Sequence, residues 1–407
     1  MTRVIDRQGG QLLSELLGVS QTTGEQDVRV TSCCNRPQFC QPGDVFVAME
    51  DGETDGLEGV FQAVQRGAIA VVCEQLAPVA VPQYIVQDSR SAFGKICQAL
   101  SDSPTQHLQS VAVTGTHGKS VTSLLMVSIL DSAEQRSGFL GSFGLCDGAN
   151  VKAPESAQLH SVEYAKWLSQ ARANGCTHAV MEIDSPSLAQ QQLAGLKFNA
   201  AIFTDVTREN LHIHHTVRNY RATMRRLVDY LKPGGFAVLN MDDTFCRKLL
   251  PQLDVPTVTY SIKDDEAQVT ATVIDRHRSE QTFLIEAGED TMPVRTRVIG
   301  DQHISNCLAA TAAALVMGID LPTIASGLEA ITEVHGHLER LECGQDFSVY
   351  VDGCRSPESL RNSLETLREV ADKRLIVVMD AVEDLTSPER ACLGRILEDE
   401  ADEFVIT

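Results

Sequence analysis

A chain of 407 residues has room for two or three domains, which excludes a single small binding module. With 43% hydrophobic and 22% charged residues it is an ordinary globular chain rather than a disordered one. Its net charge of −21 repels phosphate backbones and anionic bilayers, so neither nucleic acid nor a membrane is expected as a partner.

The first segment reads as a small α/β unit, with a strand at Asp44–Ala48, a helix at Leu57–Arg66 and a strand at Ala68–Cys73. From His107 the pattern becomes strand Ser110–Val113, glycine-bearing loop Thr114–Gly118 and helix Lys119–Leu130, the way a nucleotide-binding α/β domain begins. Strands at His178–Glu182, Ala200–Phe203 and Ala237–Asn240 then alternate with helices at Val162–Ala173 and Val217–Leu231, which predicts a mostly parallel sheet covered by helices. The Thr- and Val-rich stretch Thr257–Val298 reads as antiparallel strands added to that sheet, and helix Ile304–Met317 closes the domain. A third unit has strand Phe347–Val351, helix Pro357–Val370, strand Leu375–Met379 and strand Phe404–Ile406. Because an α/β domain rarely ends on an uncovered strand, this unit is expected to be incomplete. The expected domains are residues 1–88, 89–336 and 337–407.

Twelve scattered cysteines include no C-x-x-C pair, as for small buried residues in a reducing compartment rather than a zinc ribbon or disulfide framework. No apolar leader opens the chain, so a soluble, cytoplasmic protein is expected.

The sharpest local signal is Thr114-Gly115-Thr116-His117-Gly118-Lys119-Ser120. After an apolar strand and before a helix, its glycines let backbone N–H groups approach a polyphosphate. Lys119 has the reach for β/γ-phosphates, and the Ser120 hydroxyl suits Mg²⁺. The full spacing of such loops would place glycine where the chain has Val113, so this is a shortened variant. Glu182 ends its strand ahead of Asp184, Ser185 and Pro186, at the edge where ligands bind in open α/β sheets. It reads either as a Mg²⁺ ligand opposite Ser120 or as a solvated loop charge. His212, His214 and His215 have a spacing that suits a metal and equally a polar surface loop.

Together with Met181–Ser185, Phe203–Arg208, Ala237–Asp243 and Gly336–Arg340, the phosphate loop resembles the successive signatures of the Mur ligases, in order and spacing. Pro42–Ala48, Asp55-Gly56 and Arg66–Ala68 resemble the UDP-binding domain of the branch that adds the third stem-peptide residue to UDP-MurNAc-L-Ala-D-Glu. The resemblance implies a three-domain α/β fold with a central P-loop-type, mostly parallel sheet and a partial Rossmann-like C-terminal domain. It also implies ATP and Mg²⁺ as cofactors and a UDP-MurNAc-peptide as partner. Its reaction passes through an acyl phosphate to an amide, ADP and phosphate. By position, Lys119 and Ser120 would hold the phosphates and the first Mg²⁺, Glu182 would ligate Mg²⁺, and Asn306 would face the adenine.

The chain departs from the family pattern at chemical positions. Asn210 replaces a metal-binding His, Met224 the lysine that becomes carbamylated, and Gln192 an arginine. Asp184-Ser185-Pro186 stands for S-S-H, Arg36-Pro37-Gln38 for D-S-R and Lys152-Ala153-Pro154 for T-T-P. Asp352–Pro357, with Arg355, stands for D-Y-A-H-T-P, and Val382–Arg390 for the glycine-rich loop, of which Asp384 and Arg390 remain. Thr407 falls where the D-N-P-R amino-acid-recognition motif would begin. Two readings stay open: an ATP-dependent ligase of an amino acid to UDP-MurNAc-peptide in peptidoglycan synthesis, and a degenerate homologue that binds ATP or a partner without ligase turnover.

Overall fold

The computed structural model describes residues 3–5, 10–19, 27–49, 56–153, 159–354, 356–380 and 386–407. Asp55, Pro154, Arg355 and residues 382–385, including Asp384, lie outside the described residues. The chain divides into two compact units, one of residues 1–114, 136–201 and 208–235, the other of residues 115–135, 202–207 and 236–407.

The first unit opens on a five-stranded sheet in the order Arg3–Ile5, Ser32–Cys34, Val45–Val47, Ala70–Cys73, Gln83–Ile85. Only the first pairing is antiparallel. Val45–Val47 and Ala70–Cys73 are buried on both faces, which is what unbroken apolar runs in parallel strands require. Helix Gly56–Gln65 follows, and helix Ser89–Leu100 starts where the Asp88 carboxylate accepts the Ser91 N–H at 2.8 Å. Further on, His178–Glu182 runs parallel to both Ser137–Gly141 and Gln109–Thr114, in a register that sets Glu182 beside Val113. That register brings Glu182 to the carboxyl edge where the phosphate loop begins.

In the second unit, Thr257–Ser261 pairs in parallel with both Ala237–Asn240 and the start of Val269–Arg276. Antiparallel pairing begins only with Val269–Arg276, Gln281–Ala287 and Asp290–Thr296, which corrects the expectation of an antiparallel run from Thr257. The strand patterning of Thr257–Ser261 carries no direction; the crossover through helix Thr244–Leu249 sets it. These strands belong to one eleven-stranded, mostly parallel sheet. The expected helix Val217–Leu231 stops as an α-helix at Arg225, turns through a 3₁₀ segment Arg226–Tyr230, and gives way to strand Leu231–Asn240. Pro233 bars helix there, since it lacks an N–H and disfavours helical backbone just before it.

Helix Lys119–Ser132 buries Val121, Leu125 and Ile129, one every fourth residue, and packs against helices Asp301–Val316 and Leu321–Ala330. In residues 356–407, helices Pro357–Val370 and Ser387–Glu400 enclose a small core of Leu360, Leu364, Leu393, Ile396 and Leu397 beside the parallel pair Ile376–Met379 and Glu403–Ile406. All twelve cysteines are free, most of them buried, in line with their reading as packing residues. Among the described residues no helix is long and apolar enough to cross a membrane.

Candidate nucleotide and metal site

Thr114, buried at the end of its strand, donates its hydroxyl to the Ile183 carbonyl at 2.8 Å and so ties the start of the loop to the neighbouring strand. The loop itself is shaped by two glycines in left-handed or extended positive-φ backbone. Gly118 has φ +77°, and a Cβ there would stand 2.2 Å from Asn306 Oδ1. Asn306 is thereby placed directly against the loop, and also accepts from Gln302 Nε2 at 3.3 Å. Lys119 folds back across the loop, its ammonium donating to the carbonyls of Gly115 at 2.8 Å and Thr116 at 3.0 Å. Ser120 follows on the first turn of the helix that Gly118 caps. The loop, its lysine and Asn306 are thus brought together, and at Gly118 the left-handed backbone and the Asn306 side chain both disfavour a Cβ.

A second set of contacts holds the loop from outside, and sequence reasoning did not single it out. Asp205 accepts the Thr116 N–H on its carbonyl at 2.6 Å and the His117 N–H on its carboxylate at 2.7 Å. The other carboxylate oxygen lies 2.8 Å from His117 Nδ1. Thr204 donates its hydroxyl to the His117 carbonyl at 2.6 Å, and the far ring nitrogen of His117 lies 3.2 Å from Ser356 Oγ. Burial opposes the charged imidazole, but the Asp205 hydrogen bond and charge outweigh it and raise His117 above its ordinary range. Asp205 lies in the Phe203–Arg208 signature and Ser356 in the Asp352–Pro357 segment, but at 88 and 239 residues from His117 nothing local pairs either with it.

The Glu182 carboxylate, half-buried, accepts the Ser142 N–H at 2.8 Å and the Ser142 hydroxyl at 3.0 Å through one oxygen. Asp184 caps the short helix Ser185–Ala189 by accepting from Ser187 N at 2.9 Å. Gln192 accepts the Ser161 N–H at 3.0 Å, so at this position the amide ties two segments of the chain together. Asn210, with φ 51°, donates to Ser185 Oγ at 3.3 Å. Met224 is wholly buried, its sulfur 3.8 Å from Thr114 Oγ1. The histidine cluster separates: His214 is buried with Nε2 2.9 Å from Ser185 Oγ, whereas His212 and His215 face solvent.

The Ser120 hydroxyl and, in the other unit, the Glu182 carboxylate each offer oxygen of the kind a hard cation takes. For a second cation, the two positions in question offer a neutral amide already held by Ser185 and a thioether in the core, and a thioether is a poor ligand for Mg²⁺. The glycine cradle fits a polyphosphate; positions 210 and 224 do not fit a second Mg²⁺.

Residues 113–314 match the Mur ligase middle domain. The UDP-N-acetylmuramoyl-L-alanyl-D-glutamate--2,6-diaminopimelate ligase of Syntrophomonas wolfei is 30% identical over 396 residues, 96% of this chain and 81% of that one. Its counterpart from Geobacillus thermodenitrificans is 31% identical over 373 residues, 90% and 76% of the two chains. The chain belongs to the Mur ligase family. Among solved structures, a UDP-N-acetylmuramoyl-L-alanyl-D-glutamate--2,6-diaminopimelate ligase superposes with a TM-score of 0.79 at 22% identity, covering 98% of this chain and 82% of that one. The MurF ligase of Thermotoga maritima in complex with ADP does so at 0.62 and 18% identity, covering 92% and 83%.

Proposed function

We propose that this chain is a cytoplasmic homologue of the third-residue-adding Mur ligases that takes Mg-ATP on the 114–120 loop but does not complete amide ligation. Residues 1–88 are assigned to the uridine-nucleotide end of a UDP-MurNAc-peptide, 89–336 to ATP, and 337–407 to a C-terminal ligase-like domain. Lys119 is assigned to the phosphates, Ser120 and Glu182 to one Mg²⁺, and Asn306 to the adenine. Support comes from the Gly118–Asn306 cradle and from ligases that this chain matches over more than three quarters of their length.

The observation that carries the loss of turnover is Met224, buried against Thr114 at the position where the family resemblance puts a metal-supporting lysine. An anionic carboxylate attacking an anionic γ-phosphate needs charge neutralised on both sides. Lys119 and one Mg²⁺ supply part of that, and Met224 with Asn210 supply no replacement. The UDP-MurNAc-peptide is expected to bind weakly, because Arg36–Gln38 and Gln192 stand where the family pattern has other polar partners, each lost charge-assisted bond costing on the order of 1.5–3 kcal/mol.

Calorimetry with Mg-ATP is expected to show binding, weakened about 10-fold or more by Lys119→Ala. Multiple-turnover ADP release with UDP-MurNAc-L-Ala-D-Glu and lysine, diaminopimelate or ornithine is expected to stay at background. Substrate-dependent ADP formation that vanishes in Lys119→Ala would restore the ligase reading.

A further inference from the structure

We propose that Ser356, His117 and Asp205 form a phosphoryl-accepting relay, in which the γ-phosphoryl group of a Mg²⁺-bound nucleoside triphosphate on the 114–120 loop is transferred to Ser356 Oγ. The inference rests on the nucleotide-binding reading of that loop. It starts from three side chains of the second unit that meet in the order nucleophile, base and orienting carboxylate.

Asp205 grips His117 twice, fixing the backbone through its N–H at 2.7 Å and the ring through Nδ1 at 2.8 Å, so the ring cannot turn without breaking the second contact. An ionised carboxylate only accepts, which places a proton on Nδ1 and leaves the Nε2 lone pair facing the Ser356 hydroxyl at 3.2 Å. Ser356 caps the 14-residue helix Pro357–Val370, and its oxygen accepts the Ser359 N–H at 3.1 Å. The backbone N–H groups of that helix end favour a dianionic phosphoserine on the same oxygen. The base belongs to the loop itself, two residues before Lys119, so nucleophile and phosphate cradle are joined through one side chain.

The step balances within these groups. An Oγ–P bond forms at Ser356, the bond between the γ-phosphorus and the β,γ-bridging oxygen breaks, and its electron pair leaves with the nucleoside diphosphate. The hydroxyl proton passes to His117 Nε2, and the resulting imidazolium is held by Asp205. A hydroxyl reaches the γ-phosphate as a neutral nucleophile, so the charge repulsion that a carboxylate acceptor meets does not arise. Asn210 and Met224 therefore leave this step open while closing the ligation.

The full chain, incubated with Mg-ATP, is expected to gain a single phosphate by intact mass, mapped to Ser356 in its peptide. His117→Gln should slow labelling at least 100-fold, Ser356→Thr should carry the phosphate on the new hydroxyl, and Lys119→Ala should remain unlabelled. In the nucleotide-free chain, nitrogen NMR of His117 should show the Nδ1-protonated tautomer. Label at any other residue, equal labelling of Lys119→Ala by a contaminating kinase, or an Nε2-protonated ring would overturn the proposal. Calorimetry on the same preparation separates the two layers. Binding without labelling sinks the relay and leaves the nucleotide reading standing, whereas absence of Mg-ATP binding sinks both.

Discussion

His303 lies three residues before Asn306 on helix Asp301–Val316, 4% exposed, with neither ring nitrogen hydrogen-bonded among the described residues. Burial, with the charge of His337 second, pushes its imidazole from 6.5 down to about 4. Between those values the unfolded chain binds a proton that the folded chain does not, so the stability from a neutral His303 is complete above pH 6.5 and is lost as pH falls towards 4. At about 1.4 kcal/mol per pH unit, acidifying from 7.5 to 5 should remove about 2 kcal/mol through this group. Urea unfolding of His303→Asn across the same range should lack that decrement, and parallel pH slopes in the two proteins would contradict the assignment. At this scale the candidate site was legible where its residues are contiguous. Thr114 to Ser120 announce themselves because strand, glycine loop and helix follow without interruption. Asp205 and Ser356 do not, because their role exists only once the chain has folded back on His117.

Among elements, the periodic ones were readable and the boundaries set by single residues were less so. Helix Pro357–Val370 starts and stops where its apolar spacing says, with Ser356 as cap. Helix Asp301–Val316 begins a turn before the expected Ile304, because Gly300 ends the preceding extended chain and Asp301 and Gln302 continue helically from it. The direction of Thr257–Ser261 was hidden because alternation is the same in parallel and antiparallel strands. Gly327 likewise reads only as a poor helix former, yet it is where helix Leu321–Ala330 meets the backbone of helix Lys119–Ser132. A Cβ at Gly327 would stand 2.5 Å from Ile129 Cα, and the Gly327 carbonyl accepts the Ser128 hydroxyl at 2.6 Å. Gly327→Ala should therefore destabilise by about 1–3 kcal/mol through overpacking, despite the better helix propensity of alanine. Denaturant melts read this directly, and a stabilised variant would show that the two helices part without cost.

For the whole molecule the dominant number is the net charge of −21. Self-repulsion of that size opposes compactness and weakens as salt shortens the screening length from about 30 Å at 0.01 M to about 8 Å at 0.15 M. The melting temperature should thus rise by about 2 °C or more over that interval in sodium chloride, whereas a fall would mean that exposed ion pairs such as Arg172 with Asp102 outweigh the repulsion. The sign of this effect was legible from composition alone. The division of the chain into units drawn from interleaved segments was not, because it depends on which distant stretches pack together.

Met224 also limits what its own position can be exchanged for. Its side chain is wholly enclosed, so a lysine at that position would enter a core shaped around a thioether, with its amine facing a hydroxyl already committed to Ile183. Met224→Lys would thus register first as a defect in packing and folding, whatever it did to chemistry at the loop.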